Sequence, residues 1–173
     1  MAEYQQHTHT FAPVFDNHSK VLILGTFPSV KSREQQFYYG HPQNRFWKVL
    51  SYLTGEMVPT TIEEKKRLLL KHNIAVWDVI QSCEIIGSSD SSIRNVVPAD
   101  IPGLLKQAPI AAIFGNGNKA CELFDKYIAP ALCNFPELAA IQKLPSTSPA
   151  NAAWSLARLQ EHWHEKLRPL LDA

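Results

Sequence analysis

Apolar and polar positions alternate along the chain in blocks that change period. Residues 20–24 (KVLIL) form a short apolar run that ends in Gly-Thr-Phe-Pro-Ser, the signature of a buried strand closed by a turn. Residues 45–53 place Phe46, Val49, Leu50 and Leu53 at three- and four-residue steps and predict a helix. Thr61-Ile-Glu-Glu has the arrangement of a capping box, with Thr61 as cap and Glu64 reaching back, and predicts a helix to about residue 72. Residues 74–80 (IAVWDVI) form a second strand candidate, and the serine-rich residues 81–99 read as a long functional loop. A short helix over 101–107 precedes a third strand over 110–114, then Gly-Asn-Gly-Asn and a helix through Tyr127. A fourth strand is predicted over 139–144. In the last helix Ser148 would be the N-cap, Pro149 the first helical residue, and Leu156, Leu159, Trp163, Leu167 and Leu170 the apolar face.

Strands alternating with helices imply an α/β fold: a short, mostly parallel four-stranded sheet covered on both faces, within one domain over residues 1–173. Residues 1–18 read as an irregular lead-in. Ligands of such sheets bind beyond the carboxyl ends of the strands. The turns GTFPS, GNGN and PSTSP all follow strands, so they are expected on one edge.

Composition narrows the class. The 173 residues, 45% hydrophobic and 19% charged, suit an ordinary soluble globular protein. No apolar run approaches the roughly 20 residues of a membrane span, and the polar start lacks a secretory pattern, so a cytoplasmic monomer is expected. Cys83, Cys121 and Cys133 are odd in number and lack disulfide or metal spacing, and read as inert thiols. His7 and His9 in the lead-in are discounted as metal ligands, and His162 and His164 read as solvated. A formal net charge of +1 means that any nucleic-acid face must gather its own cations, with Lys31, Arg33, Arg45, Lys48 and Lys143 as candidates.

The densest chemistry lies in Phe37-Tyr38-Tyr39-Gly40-His41-Pro42-Gln43-Asn44-Arg45-Phe46-Trp47. Phe46 and Trp47 are expected in the core; Tyr38-Tyr39 beside Gly40 suits a platform that stacks on a planar ligand. Leu144 to Asn151 (LPSTSPAN) supplies hydroxyls, and a helix N-terminus behind it would favour an anion. Asp78, near the carboxyl end of the second strand, is read either as a water-activating base or, preferably, as a structural carboxylate bonded to loop backbone. His41 is read equally as a donor to ligand or as a turn-stabilising group, and Asn116 as a helix cap or a reader of the ligand.

GTFPS, YYGHPQNRFW and LPSTSPAN, in this order and spacing, resemble the uracil-DNA glycosylase superfamily, and most closely its hypoxanthine (deoxyinosine) branch. The similarity runs from about residue 11 to the last helix. It implies a three-layer α/β/α sandwich and a DNA glycosylase acting on a flipped-out deaminated base, without metal or organic cofactor. It further implies a pocket entrance from the turn with Gly25, Thr26 and Phe27, with Tyr39 where related enzymes stack an aromatic on the base; His41 and Asn116 join the candidate base pocket by their own positions. Ser29, Lys31 and Ser32 would approach a DNA phosphate, and Ser146, Thr147, Ser148 and Pro149 belong to the segment that enters the duplex. Asn44 falls on the asparagine on which the hypoxanthine branch depends for catalysis. One departure stands out: Phe27 occupies a place where many members carry Asn or Asp to handle water.

Gly115-Asn116-Gly117-Asn118-Lys119-Ala120 also fits a dinucleotide-binding turn. The acidic partner that such a turn needs is missing, since Glu137 precedes its strand, and an oxidoreductase is rejected. A glycosylase directed at uracil and a non-catalytic lesion-binding module remain the alternatives.

Overall fold

The computed structural model describes residues 3–172. Four strands, β2 (Val21–Gly25), β3 (Ile74–Asp78), β6 (Ala112–Asn116) and β7 (Gln142–Leu144), form a parallel sheet in the order β3-β2-β6-β7. The register aligns Gly25 with Asp78, Leu24 with Gly115, and Asn116 with Leu144. The carboxyl ends therefore lie level, and the turns that follow β2, β6 and β7 leave from one edge as expected.

Both faces of this sheet are apolar because both are covered. Val21, Ile23, Ile74, Val76 and Phe114 face a cluster built with α2 (Phe46–Thr54), α3 (Ile62–Lys71) and α6 (Leu156–Leu171). Leu22, Leu24, Ala75 and Ile113 face the opposite cluster, built with α4 (Ile101–Gln107) and α5 (Asn118–Leu123). Alternate side chains of a strand point to opposite faces, so β2 alone contributes to both cores. The capping box at Thr61 is present, with the Thr61 side chain accepting from Glu64 N and the Glu64 carboxylate accepting from Thr61 N.

A second sheet departs from expectation. Residues 5–8 are not irregular: β1 (Gln5–Thr8) pairs antiparallel with β4 (Ile80–Ile85), which pairs with β5 (Arg94–Pro98). Residues 81–99 are thus mostly two strands joined across a short 3-10 turn over Asp90–Ser92. Both outer strands are largely exposed, so their polar composition gave no apolar signal. Cys83 and Ile85 of β4 turn inward onto the α4–α5 core.

Three further boundaries differ. The fourth parallel strand spans only Gln142–Leu144, and residues 136–138 make a 3-10 turn. The last helix begins at Leu156 with Ser155 as its cap, its side chain accepting from Arg158 N; Ser148 and Pro149 lie in turns before it. An unforeseen helix, α1 (Val30–Gln35), follows the first turn and is capped by Ser29.

Candidate active site

A cavity of about 350 Å³ opens where the strand ends meet, within the size range of small-molecule sites. Its walls come from the turn after β2 (Gly25 to Ser29), from Tyr38 to Asn44, from Asp78 and Asn116 at strand ends, from Ser88 and Asp90, and from residues 146–150.

The wall formed by residues 146–150 is fastened at many points. Asn116 clasps Thr147 twice: its Nδ2 donates to Thr147 Oγ1 and its Oδ1 accepts from Thr147 N, both at 3.0 Å. Asn116 therefore serves the loop and does not cap α5. From below, the Arg45 guanidinium donates to the carbonyls of Thr147, Ser148, Asn151 and Trp154. A planar fork with five N–H donors suits such a convergence. Arg45 is thus an internal anchor, not a free cation of the DNA face. Arg33 is likewise engaged: it donates to Gly87 O at 2.7 Å and lies over the Phe27 ring. Lys31 and Lys48 are exposed, Lys31 with Glu34 at 3.4 Å, and Lys143 lies on a neighbouring cleft.

Asn44 stands half-buried in the cavity lining. Its Oδ1 accepts from Phe46 N at 2.9 Å and fixes the start of α2. Its amide NH₂ takes no partner among the described residues and lines the cavity. The His41 ring accepts from Gln43 N through Nδ1 at 3.1 Å. In the neutral ring the proton then sits on Nε2, which makes His41 a donor as well as a turn-stabilising group.

The aromatics divide differently from expectation. Tyr38 is buried in the core with its hydroxyl on Ala12 O, so it is no stacking platform. Tyr39 lines the cavity with a left-handed backbone (φ 53°), one ring face stacked on Phe46 at 3.9 Å. Its hydroxyl is buried next to the Asn116 side chain, without a well-formed hydrogen bond. Burial, followed by the charge of nearby Asp78, raises its ionisation well above that of an ordinary tyrosine, so it stays a neutral phenol.

Three features of the site left no mark in the sequence pattern. Asp78, only 4% exposed, bonds not to loop backbone but to His9, at 2.9 Å between Oδ2 and Nε2. The discounted His9 is buried among Phe11, Phe27 and Tyr38, brought there by the chain that continues from β1. Asp90, from the 3-10 turn between β4 and β5, is exposed as a residue but lines the cavity and accepts from Thr26 Oγ1 at 3.0 Å; desolvation there raises its pKa, the Thr26 hydrogen bond opposes the rise and the charge of Asp78 adds to it.

The model of the uracil DNA glycosylase superfamily matches residues 12–168. The chain belongs to that superfamily. It is 37% identical over 160 residues to a hypoxanthine DNA glycosylase of Methanosarcina acetivorans, covering 91% of this chain and 96% of that protein. A hypoxanthine DNA glycosylase of Methanosarcina barkeri is 33% identical over 114 residues, 65% of this chain and 72% of the relative. A solution NMR structure from M. acetivorans, described provisionally as a uracil DNA glycosylase, superposes with a TM-score of 0.77 at 34% identity. It covers 94% of this chain and 97% of its own.

For this superfamily member the predicted residues fall into two groups. Gly25, Thr26, Phe27, Ser29, Ser32, Tyr39, His41, Asn44, Asp78, Asn116, Ser146, Thr147, Ser148 and Pro149 all line the one cavity. Lys31 lies outside it. Ser32 is buried, and its hydroxyl accepts from Gly40 N at 2.9 Å and from Ser29 Oγ, so it braces the turn. His162 packs edge-on against Trp154 beside the neighbouring cleft, and His164 is exposed.

Proposed function

We propose that this DNA glycosylase releases hypoxanthine from DNA by hydrolysing the N-glycosidic bond of a flipped-out deoxyinosine, acting as a monomer. The observation that carries the reading is the cavity at the strand ends, whose lining joins the half-buried Asn44 and His41 to the buried Asp78 and Tyr39 hydroxyl. The names of the two Methanosarcina relatives support hypoxanthine as the base.

A base cannot react inside the stack, so the enzyme extrudes it, at least cost when the base is poorly paired. Residues 146–150 are suited to hold the gap, because the clasp to Asn116 and the Arg45 anchor keep this wall rigid. Breaking the glycosidic bond leaves positive charge on the sugar and negative charge on the base. Fixed donors aimed at the departing base lower that barrier. A base tethered through its sugar enters the cavity with its far edge first, so the more exposed groups of the lining, Asn44 and His41 among them, suit the glycosidic end. Asn44 is the group there with an unused NH₂, and His41 Nε2–H can serve as a second donor. The remaining acceptor capacity of Asn44 Oδ1 can hold a water near the sugar. Asparagine is a poor base, so bond breaking leads and water attack follows. The cavity lining contains no lysine to form a Schiff base, which favours hydrolysis without strand cleavage.

Single-turnover base release from a duplex with one hypoxanthine tests this. Asn44→Ala should slow release by about 10²–10³-fold, the usual cost of removing one donor from a developing anion, while binding of the duplex is retained. Release that survives Asn44→Ala but vanishes in Asp78→Ala would remove Asn44 from the mechanism.

A further inference from the structure

Hydrolysis asks for something at the sugar that the groups named so far do not supply. The departing base leaves positive charge on the deoxyribose, and the water that attacks there must give up a proton. Asn44 is neutral and a poor base, and Phe27, in the first turn of the cavity, has no polar side-chain atom. Among the ionisable groups of the lining, Asp78 is taken up by His9, and Tyr38 and Tyr39 stay neutral phenols. Asp90 is the carboxylate left over. Its Oδ1 accepts from Thr26 Oγ1 at 3.0 Å, and its Oδ2 takes no partner among the described residues. It belongs to the more exposed part of the lining, with Asn44 and His41, the part suited to the glycosidic end.

We propose that Asp90 is a further catalytic residue: its carboxylate faces the positive charge that develops on the sugar and takes a proton from the attacking water, with Thr26 as the positioning residue that holds it. The assignment rests on the glycosylase reading and adds the base that Asn44 cannot provide. The electron pair of the C1′–N9 bond leaves with the base as that bond breaks. The water oxygen bonds to C1′ and one of its protons passes to Asp90. Asp90 returns that proton to solvent, and the released base anion takes one up, so the net change is addition of one water across the bond.

The segment that carries Asp90 is fastened on two sides. Ser88 Oγ accepts from Val30 N at 2.9 Å and Gly87 O accepts from Arg33 at 2.7 Å, which ties residues 87–88 to α1. Ser92 Oγ accepts from Ile86 N at 2.9 Å and donates to Ser89 O at 2.7 Å, which closes the turn on itself. The charges around Asp90 suit a base. Desolvation and the charge of Asp78 raise its pKa, against the Thr26 hydrogen bond and Lys119, so it binds a proton more readily than an ordinary carboxylate. Cys83 nearby is pushed up to about 11 and stays a thiol. His41 shares the cavity, and Lys143 and His162 share the neighbouring cleft that Asp90 also lines.

The test is single-turnover release of hypoxanthine from a deoxyinosine duplex as a function of pH, with duplex affinity and thermal melts measured alongside. The wild-type rate should fall as pH drops through the raised carboxylate pKa, because only the ionised form accepts the proton. Asp90→Asn should slow release by about 10²–10⁴-fold, the range of general base catalysis, and lose that acid limb. It should bind the duplex no more weakly and melt no lower, since an anion near phosphates has been removed. Thr26→Val, which deletes the hydrogen bond that holds the pKa down, should move the acid limb to higher pH. Release by Asp90→Asn within about twofold of the wild type overturns the inference and leaves the glycosylase intact. A slowed Asp90→Asn that keeps the wild-type acid limb also overturns it, because another group such as His41 then titrates. Slowing that comes with a lower melt or weaker duplex binding does the same, and leaves Asp90 as a brace for Thr26. No release of any base by the wild type overturns the glycosylase reading, and this inference with it.

Discussion

The two sheets of this molecule are built on opposite terms. The parallel sheet is buried on both faces at its centre: every residue of β2 is buried and β2, β3 and β6 read as largely apolar runs, while the short edge strand β7 exposes Gln142 and Lys143. The antiparallel sheet is two-sided and wet at its edges, with β1 and β5 almost entirely exposed. The first holds the scaffold together and fixes where the cavity lies. The second adds little core, yet its chain supplies His9 to Asp78, Asp90 to Thr26 and Ser88 to the backbone of Val30. The parallel sheet thus supplies both the core and strand-end site residues such as Asp78 and Asn116, while the antiparallel sheet's chain brings in the groups that brace them.

That division can be broken at several depths. The largest effect is expected in the parallel sheet. Ile23→Ala, at a fully buried position of β2, should cost about 2–5 kcal/mol, from lost transfer energy and the cavity left behind, measured by urea unfolding. The next concerns Asp90, where the second sheet reaches the cavity. Its raised pKa means that the native state favours the protonated form. The stability this contributes is full below the unfolded carboxylate pKa and is lost as pH rises through the higher folded value. Because Asp90 is exposed as a residue, solvent screens much of this effect; Asp90→Asn, which retains an acceptor for Thr26, should melt only slightly higher than the wild type at neutral pH and match it in acid, and a lower melt at neutral pH would contradict the sign. The smallest effect belongs to the outer strand: Val97→Ser, at a residue 52% exposed, should shift stability by no more than about 0.5 kcal/mol. A loss as large as that of Ile23→Ala would erase the contrast between the sheets.

The same contrast explains what could be read from the residues alone. Runs such as KVLIL and IAVWDVI announce buried strands, and the order of strands and helices then implies one reactive edge. Phe46, Trp47 and the α6 positions Leu159, Trp163 and Leu167 are in the core as their spacing implied. The cavity was legible because its turns follow apolar strands: Gly25 to Ser29, Asn44, Asn116 and residues 146–150 do line it together. Polar β1 and β5 carry no such signature, because an exposed strand is specified by its pairing partner far along the chain. His9 was therefore invisible as a site residue, 69 positions from the carboxylate it holds. Arg45 misled for a related reason. A cation beside a helix start suggests a phosphate, whereas four carbonyls from a distant loop had already claimed it. Ser148-Pro149 resembled a helix start, but turns run on to the cap at Ser155. Of the serine-rich residues 81–99, Ser88 and Asp90 reach the cavity, but their polar composition hides the two strands that carry them.

The central claim is hydrolysis of the bond between hypoxanthine and deoxyribose, and product analysis meets it most directly. A duplex containing one deoxyinosine is incubated with the protein, and free base and DNA are separated and identified by mass. Free hypoxanthine is expected in equal amount to an abasic site in an uncut strand. DNA that remains intact although the protein is bound to it would contradict the account and leave a lesion-binding protein with a glycosylase fold.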